Sequence, residues 1–201
     1  MMKTPIILAS QSPRRKMLLE WAEIPFEVIV QSTDESFPEG MPVTEVPIHI
    51  ARGKAEAVKQ YVQEAYHGEY AGSTILAADT IVVLDGQVIG KPADRDEAIR
   101  ILQSLSGNTH RVITGVVILH NEGEISFSDV TEVHFHHLSL DQISFYVDKY
   151  QPYDKAGAYA IQEWIGVVGI KRVEGDFYNV MGLPVSRVVR ELSNHVFSAS
   201  H

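Results

Sequence analysis

Residues 73–84 read STILAADTIVVL, and the reading of this stretch decides the fold. Its isoleucines, leucines, valines and alanines make a nearly unbroken apolar run of strand length, the pattern of a strand covered on both faces. Asp85-Gly86 then supplies a tight-turn pair, and residues 87–90 answer as a short returning strand, which predicts a β-hairpin. Asp79 does not belong in such a run, because a carboxylate is unfavourable in a strand and costly to bury without a partner. An acid near the carboxyl end of a strand suggests a base or a metal ligand, since open α/β sheets place ligands there. The plainer alternative is a carboxylate that caps a turn or pairs with one cation.

Working outward, residues 5–10 (PIILAS) form a short buried-strand pattern. Ser12 and Pro13 give an N-cap followed by a first-turn proline, so residues 14–22 read as a helix. Residues 26–30 predict a second strand and the polar, Pro/Gly-punctuated residues 31–42 a loop. Over residues 46–66, Ile50, Ala51, Ala55 and Val58 recur at helical spacing. Downstream of the hairpin, residues 94–106 predict a helix with Asp94 as cap and Gly107 as stop. Two strands follow, 109–120 and 125–135, about a turn at Asn121-Glu122-Gly123. An amphipathic helix spans 140–150 after Ser139, residues 158–170 read as strand-rich, and a last helix covers 184–196. Helices and strands interleave, yet hairpins link at least two strand pairs. The expectation is one α/β domain over residues 1–201, built on a mixed sheet with flanking helices rather than a parallel one.

Composition narrows the function. Of 201 residues, 45% are hydrophobic and 21% charged, ordinary values for a chain that buries about 70% of its extended surface on folding. No apolar run approaches the roughly 18 residues that span a bilayer, and the opening residues turn polar too soon for a signal peptide. Cysteine is absent, which excludes disulfides, thiolate zinc sites and thiol nucleophiles. A cytoplasmic location is expected. The formal charge of −9 argues against general nucleic-acid binding, although a few converging cations can still make a local pocket for a phosphorylated ligand.

Such cations are present. Residues 8–15 (LASQSPRR) run from a strand into a helix N-terminus, where unpaired N–H groups attract anions and Ser10, Ser12, Arg14 and Arg15 add donors and charge. The bland reading is an N-cap with two surface arginines. Lys91, in Gly90-Lys91-Pro92, gains interest only from standing across the hairpin from Asp79. His134 and His136 share one strand face and could pair on a metal, but a half-exposed strand with polar residues facing out is the commoner cause.

LASQSPRRKMLL (8–19), ARGKAEAV (51–58), AADTIVV (77–83), IGKP (89–92), THRVITGV (109–116), GAYAIQ (157–162) and EGDFYNVMGLPVSRV (174–188) together resemble the Maf family. They occur in the family's order and cover nearly the whole chain, from Ile7 to Arg190. The resemblance implies a Maf/ITPase-like fold, with an elongated twisted sheet and two lobes around a cleft. It implies hydrolysis of nucleoside triphosphates between the α- and β-phosphates with a divalent cation (Mg²⁺, Mn²⁺ or Co²⁺), by a homodimer. Carried over by motif, Asp79 is the base and a metal ligand, and Glu35 is the second carboxylate at the metal. Ser10, Arg15, Lys54 and Lys91 bind phosphate, while Arg14, Thr80 and Gln162 govern substrate choice.

Gln162 resembles the branch that hydrolyses dTTP and UTP. An amide offers both a donor and an acceptor to the O4 and N3–H edge that uracil and thymine share. The segment departs from the family pattern at Ala158, Ala160 and Glu163, where mostly glycine is expected. Two other readings stand beside this one: a pyrophosphatase for 7-methyl-GTP or another modified nucleotide, and a nucleotide-binding regulator of septum formation and cell division.

Overall fold

The computed structural model describes residues 5–66, 70, 72–121 and 123–197. The chain divides into two compact units. The first is Met1–Asp79, Thr114–Asp129 and Gly182–His201; the second is Thr80–Ile113 and Val130–Met181. Among the described residues the strands form one mixed seven-stranded sheet in the order β2 (Phe26–Val28), β1 (Ile6–Leu8), β3 (Ile75–Leu84), β5 (Thr109–His120), β6 (Gly123–Phe135) and β7 (Ile170–Glu174), with β4 (Gln87–Ile89) paired to β3.

In the first unit, β1 (Ile6–Leu8) lies parallel both to β2 (Phe26–Val28) and to β3 (Ile75–Leu84), with Leu8 level with Leu76. Helix α1 (Pro13–Trp21) starts where expected, but Ser12 does not cap it through its side chain. Its backbone N–H instead donates to Ser10 Oγ at 3.2 Å. Helix α2 (Val46–Ala65) buries Ala51, Ala55, Val58 and Val62 against Ile7, Ile75 and Ala77 of β1 and β3, together with Val117 and Leu119 of β5 (Thr109–His120). Alanines on the helix and on the strand let the two backbones approach. At Gly115 of β5 the approach is tight: a Cβ there would stand 2.2 Å from the backbone nitrogen of Ile48. The last helix, α7 (Val185–Glu191), also belongs to this unit, and the chain continues as a wider turn over Leu192–Phe197.

In the second unit, the far end of β3 turns back into β4 (Gln87–Ile89) through Asp85 and Gly86, both at positive φ (51° and 79°), as the sequence predicts for a two-residue hairpin loop. Helix α3 (Arg95–Leu105) is capped by Asp94, which accepts from Glu97 N at 2.8 Å. Helix α4 (Leu140–Tyr150) opens on a capping box made by Ser139 and Gln142. The end of β6 (Gly123–Phe135) pairs antiparallel with β7 (Ile170–Glu174). The turn before β6 includes Glu122, which lies outside the described residues.

One expected region is different. Residues 158–170 are not strand-rich: a 3-10 turn at Ala156–Ala158 leads to a short helix, α5 (Trp164–Gly169), and strand begins only at Ile170. The branched apolar residues of this stretch suit a strand, but Gly157 and Ala158 are both at positive φ (71° and 57°), which breaks extended chain. Gly166 then folds back so closely that a Cβ there would stand 1.7 Å from the Ile161 carbonyl oxygen. Helix α6 (Phe177–Met181), which the sequence did not announce, is started by Asp176; its Oδ1 accepts from Tyr178 N at 2.6 Å and from Asn179 N at 3.1 Å.

Candidate active site

The parallel pairing of β1 with β3 stops where β1 ends, part-way along β3, so Asp79 lies in mid-strand rather than near the strand's carboxyl end. Just past the Leu8–Leu76 pair, Ala9 N donates to the Leu76 carbonyl at 2.8 Å, and the chain then leads into Ser10 on one strand and Asp79 on the other. This is the carboxyl end of β1, where α/β sheets leave room for a ligand.

Arg15 is pinned there. Only 8% exposed, it donates from Nε to the Gly182 carbonyl at 2.8 Å and from Nη1 to Ser10 Oγ at 3.1 Å. Burial holds its guanidinium below the ordinary arginine range, opposed by the negative charge of Asp79 and, less strongly, of Glu35. A guanidinium stays charged under such a shift, so a fixed buried cation faces the carboxylates. Ser10 is 7% exposed and serves as the joint between Arg15 and the start of α1. Arg14, one residue earlier on α1, is half-buried.

Lys54 occupies the centre. Projecting from α2 beside the buried Ala51 and Ala55, its Nζ lies 2.7 Å from Asp79 Oδ1 and 2.7 Å from Glu35 Oε1. Asp79 is therefore not a carboxylate satisfied by one local turn; one ammonium holds it together with a second acid from a distant loop. Asp34 shapes that loop by accepting from Ser36 N at 2.9 Å and from Ser36 Oγ at 2.7 Å, bonds that hold its carboxyl below the ordinary range. The two turn residues flank Glu35, whose side chain reaches Lys54. The side chains of Lys54 and Asp79 are 17% and 15% exposed and that of Glu35 49%, so Glu35 is the most open member of the cluster.

Ser10, Arg15, Glu35, Lys54 and Asp79 thus come together within the first unit. Thr80, Lys91 and Gln162 belong to the second. Thr80 directly follows Asp79 on β3 and is half-buried, whereas Lys91 and Gln162 are exposed, on the segments after β4 and before α5. The Gly90 carbonyl, next to Lys91, accepts from Gly157 N at 3.1 Å, so the IGKP and GAYAIQ segments are joined.

The structure places the three departures near Gln162. Ala158 carries the positive φ that glycine would adopt freely. Ala160 N–H donates to Tyr146 Oη at 3.2 Å. Glu163 accepts a short hydrogen bond from Tyr146 and lies 3.7 Å from Lys155 Nζ, so its charge is answered within the fold. Tyr146 and Lys155 were missed in the sequence. Lys155, beside the GAYAIQ motif, gave a weak signal; Tyr146, on the apolar face of α4, gave none.

Two hard carboxylates converging on one cation position form a donor set that suits a magnesium-type ion, which takes oxygen ligands and keeps waters or phosphate oxygens in the rest of its shell. Glu35 and Asp79 are the residues able to hold it.

Residues 5–195 match the family described as Maf-like protein. The chain is 50% identical to the dTTP/UTP pyrophosphatase of Cytophaga hutchinsonii over 94% of its own length and 83% of that protein's. It is 49% identical to the dTTP/UTP pyrophosphatase of Porphyromonas gingivalis, over 96% and 94%. The protein of the same description from Bacteroides thetaiotaomicron is 46% identical, over 94% and 95%. Among solved structures, the Staphylococcus aureus Ham1 protein aligns at 14% identity with a TM-score of 0.43, over 66% of this chain and 72% of that one.

Proposed function

This chain belongs to the Maf family, and from that premise we infer that it is a nucleoside triphosphate pyrophosphatase that hydrolyses dTTP and UTP to the monophosphate and pyrophosphate. The observation that carries the assignment of its chemistry is Lys54 holding Asp79 and Glu35 together at 2.7 Å each.

The anionic tail of the substrate is attracted by Arg15, which is fixed before binding and so loses no side-chain freedom when phosphate arrives. Ser10 adds a hydroxyl at the same strand end. Lys54 exchanges its carboxylate contacts for phosphate oxygens, and Lys91 supplies a further cation. Asp79, released from Lys54, accepts the proton of the water that attacks the α-phosphorus, while negative charge shifts onto the leaving pyrophosphate and is stabilised by Arg15 and the lysines. The family implies a divalent cation, which Glu35 and Asp79 would hold; when bound it supplies Lewis-acid neutralisation of the phosphate oxygens. Gln162 reads the O4 and N3–H edge of the base, with Arg14 and Thr80 completing substrate choice. Among the described residues no helix is long and apolar enough to cross a membrane. The family resemblance supports a cytoplasmic homodimer serving to cleanse the nucleotide pool.

The deciding experiment is pyrophosphate release from a panel of nucleoside triphosphates, 7-methyl-GTP included, with Mg²⁺ or Mn²⁺ and with a chelator. Release confined largely to dTTP and UTP and abolished by chelator is expected. Release from another base instead would keep the chemistry and overturn the role of Gln162. A chain that binds nucleotide without turnover would be a regulator.

A further inference from the structure

On the second unit, Glu132 and His134 of β6 share a strand face with Glu174 of β7, none of them a residue given a role above. Their ligand atoms all lie within 4.8 Å of one another. The register explains the convergence. Glu132 stands directly opposite Glu174, and His134 opposite Arg172. Like charges directly opposed across an antiparallel pair destabilise it. Arg172 Nη2 relieves part of this by reaching Glu174 Oε1 at 3.1 Å from a 65% exposed position, but one arginine faces two carboxylates.

The imidazole adds a second, independent sign. His134 Nδ1 lies 2.8 Å from Thr109 Oγ1, which fixes the ring and turns Nε2 toward the acids. Nε2 is sealed from solvent and makes no hydrogen bond, although Glu174 Oε1 is only 3.0 Å away. The contact is close in distance but does not make an N–H···O hydrogen bond. Its spacing is at the short end of what two ligands of one ion show: bonds of about 2.1 Å at angles from a right angle to the tetrahedral one separate the two atoms by about 3.0–3.4 Å. A ligating histidine whose other nitrogen is held by a hydroxyl or carbonyl is also the usual supporting arrangement.

We propose that Glu132, His134 and Glu174 form a binding site for one borderline divalent transition ion of the Zn²⁺ or Co²⁺ kind, which fastens edge strand β7 to β6. One imidazole with two carboxylates favours such ions over Mg²⁺, whose ligands are oxygen. The site is separate from the nucleotide chemistry and stands or falls without it.

Zn²⁺ binding to the full nucleotide-free chain, followed by titration calorimetry, tests the proposal. The double substitution Glu35→Gln with Asp79→Asn removes the other carboxylate pair, and in that background one equivalent of Zn²⁺ is expected to remain. Adding His134→Ala should abolish it, and adding Glu174→Gln, which keeps side-chain shape, should weaken it at least tenfold. In the chain with every native ligand present, Zn²⁺ should raise the melting temperature, and His134→Gln should remove that rise. Stoichiometry and affinity unchanged by both His134→Ala and Glu174→Gln would overturn the site, as would absence of any Zn²⁺ binding in the double-substituted background.

Discussion

Asp79 and His110 show how one side chain's surroundings set its chemistry. Asp79→Asn keeps the shape and the hydrogen bond to Lys54 but cannot take a proton. Turnover of dTTP should fall by at least about 10²–10³-fold, with an unchanged circular dichroism melt; near-native turnover would remove Asp79 from the mechanism. His110 is 1% exposed, bonded through Nε2 to Tyr159 Oη at 2.7 Å and packed edge-on against Phe135. Burial pushes its imidazole down to about 4, against an ordinary value of 6.5. The unfolded chain therefore binds the proton more readily than the folded one. The stability held above pH 6.5 is lost as pH falls from 6.5 toward 4, by up to about 3 kcal/mol. Urea melts across that window check it: His110→Gln should flatten the slope, and an equal slope in both proteins would locate the effect elsewhere. Ala158 balances opposing terms. Its left-handed backbone costs about 1–2 kcal/mol for a non-glycine residue. Glycine there loses a buried methyl group, worth about 0.8 kcal/mol, and gains unfolded-state entropy worth about 0.5–1 kcal/mol. Ala158→Gly should thus leave the folding free energy within about 1 kcal/mol of the starting value, while Ala158→Val, branched at Cβ, should lose several times more.

Between elements, the controlling contact is the crossing of α2 over β5. Because a Cβ at Gly115 would lie 2.2 Å from the Ile48 nitrogen and 2.3 Å from the Pro47 carbonyl carbon, no rotamer change can relieve it. The first turn of α2 must move off the sheet. Gly115→Ala is expected to cost about 2–3 kcal/mol or more and, through displacement of Lys54 on the same helix, to raise KM for nucleotide; a thermal melt within 2 °C of the unsubstituted chain, on the order of 0.5–1 kcal/mol, would count against this. Elements with a local cause were legible in the sequence. The Asp85-Gly86 hairpin, the Asp94 cap and the Ser139 capping box each announce themselves over a few residues. The stretch before β7 was misread because Ile161, Ile165, Val167 and Val168 carry strand propensity, whereas the fold there is set by Gly157 near Val82 and by Gly166 against Ile161. Such approaches are tertiary, and propensity does not record them.

For the molecule as a whole, the resemblance named Ser10, Arg15, Glu35, Lys54 and Asp79, which the structure brings together, but not their geometry. That Lys54 would span two acids from residues 25 positions downstream and 19 upstream was not visible, since a helix, a loop and a strand must first assemble. Binding of the ligand should be readable globally. In Asp79→Asn, dTTP with Mg²⁺ at about 100 times its Kd should add about 2.7 kcal/mol, which for a chain of this size raises Tm by about 5–10 °C; no shift would mean the pocket does not hold the nucleotide. The bridge at Lys54 also has a consequence for a cell rich in free divalent ions. Viewed from solvent, the acid pair is an ion exchanger already loaded with a tethered counter-ion, so a bare metal must displace an ammonium that never diffuses away. Only a species that offers the lysine a replacement anion and brings its own cation makes the exchange neutral, and a metal–nucleotide complex is such a species. Removing the tether, as in Lys54→Met, should therefore drive two properties in opposite directions: Mn²⁺ capture without nucleotide becomes tighter while turnover collapses.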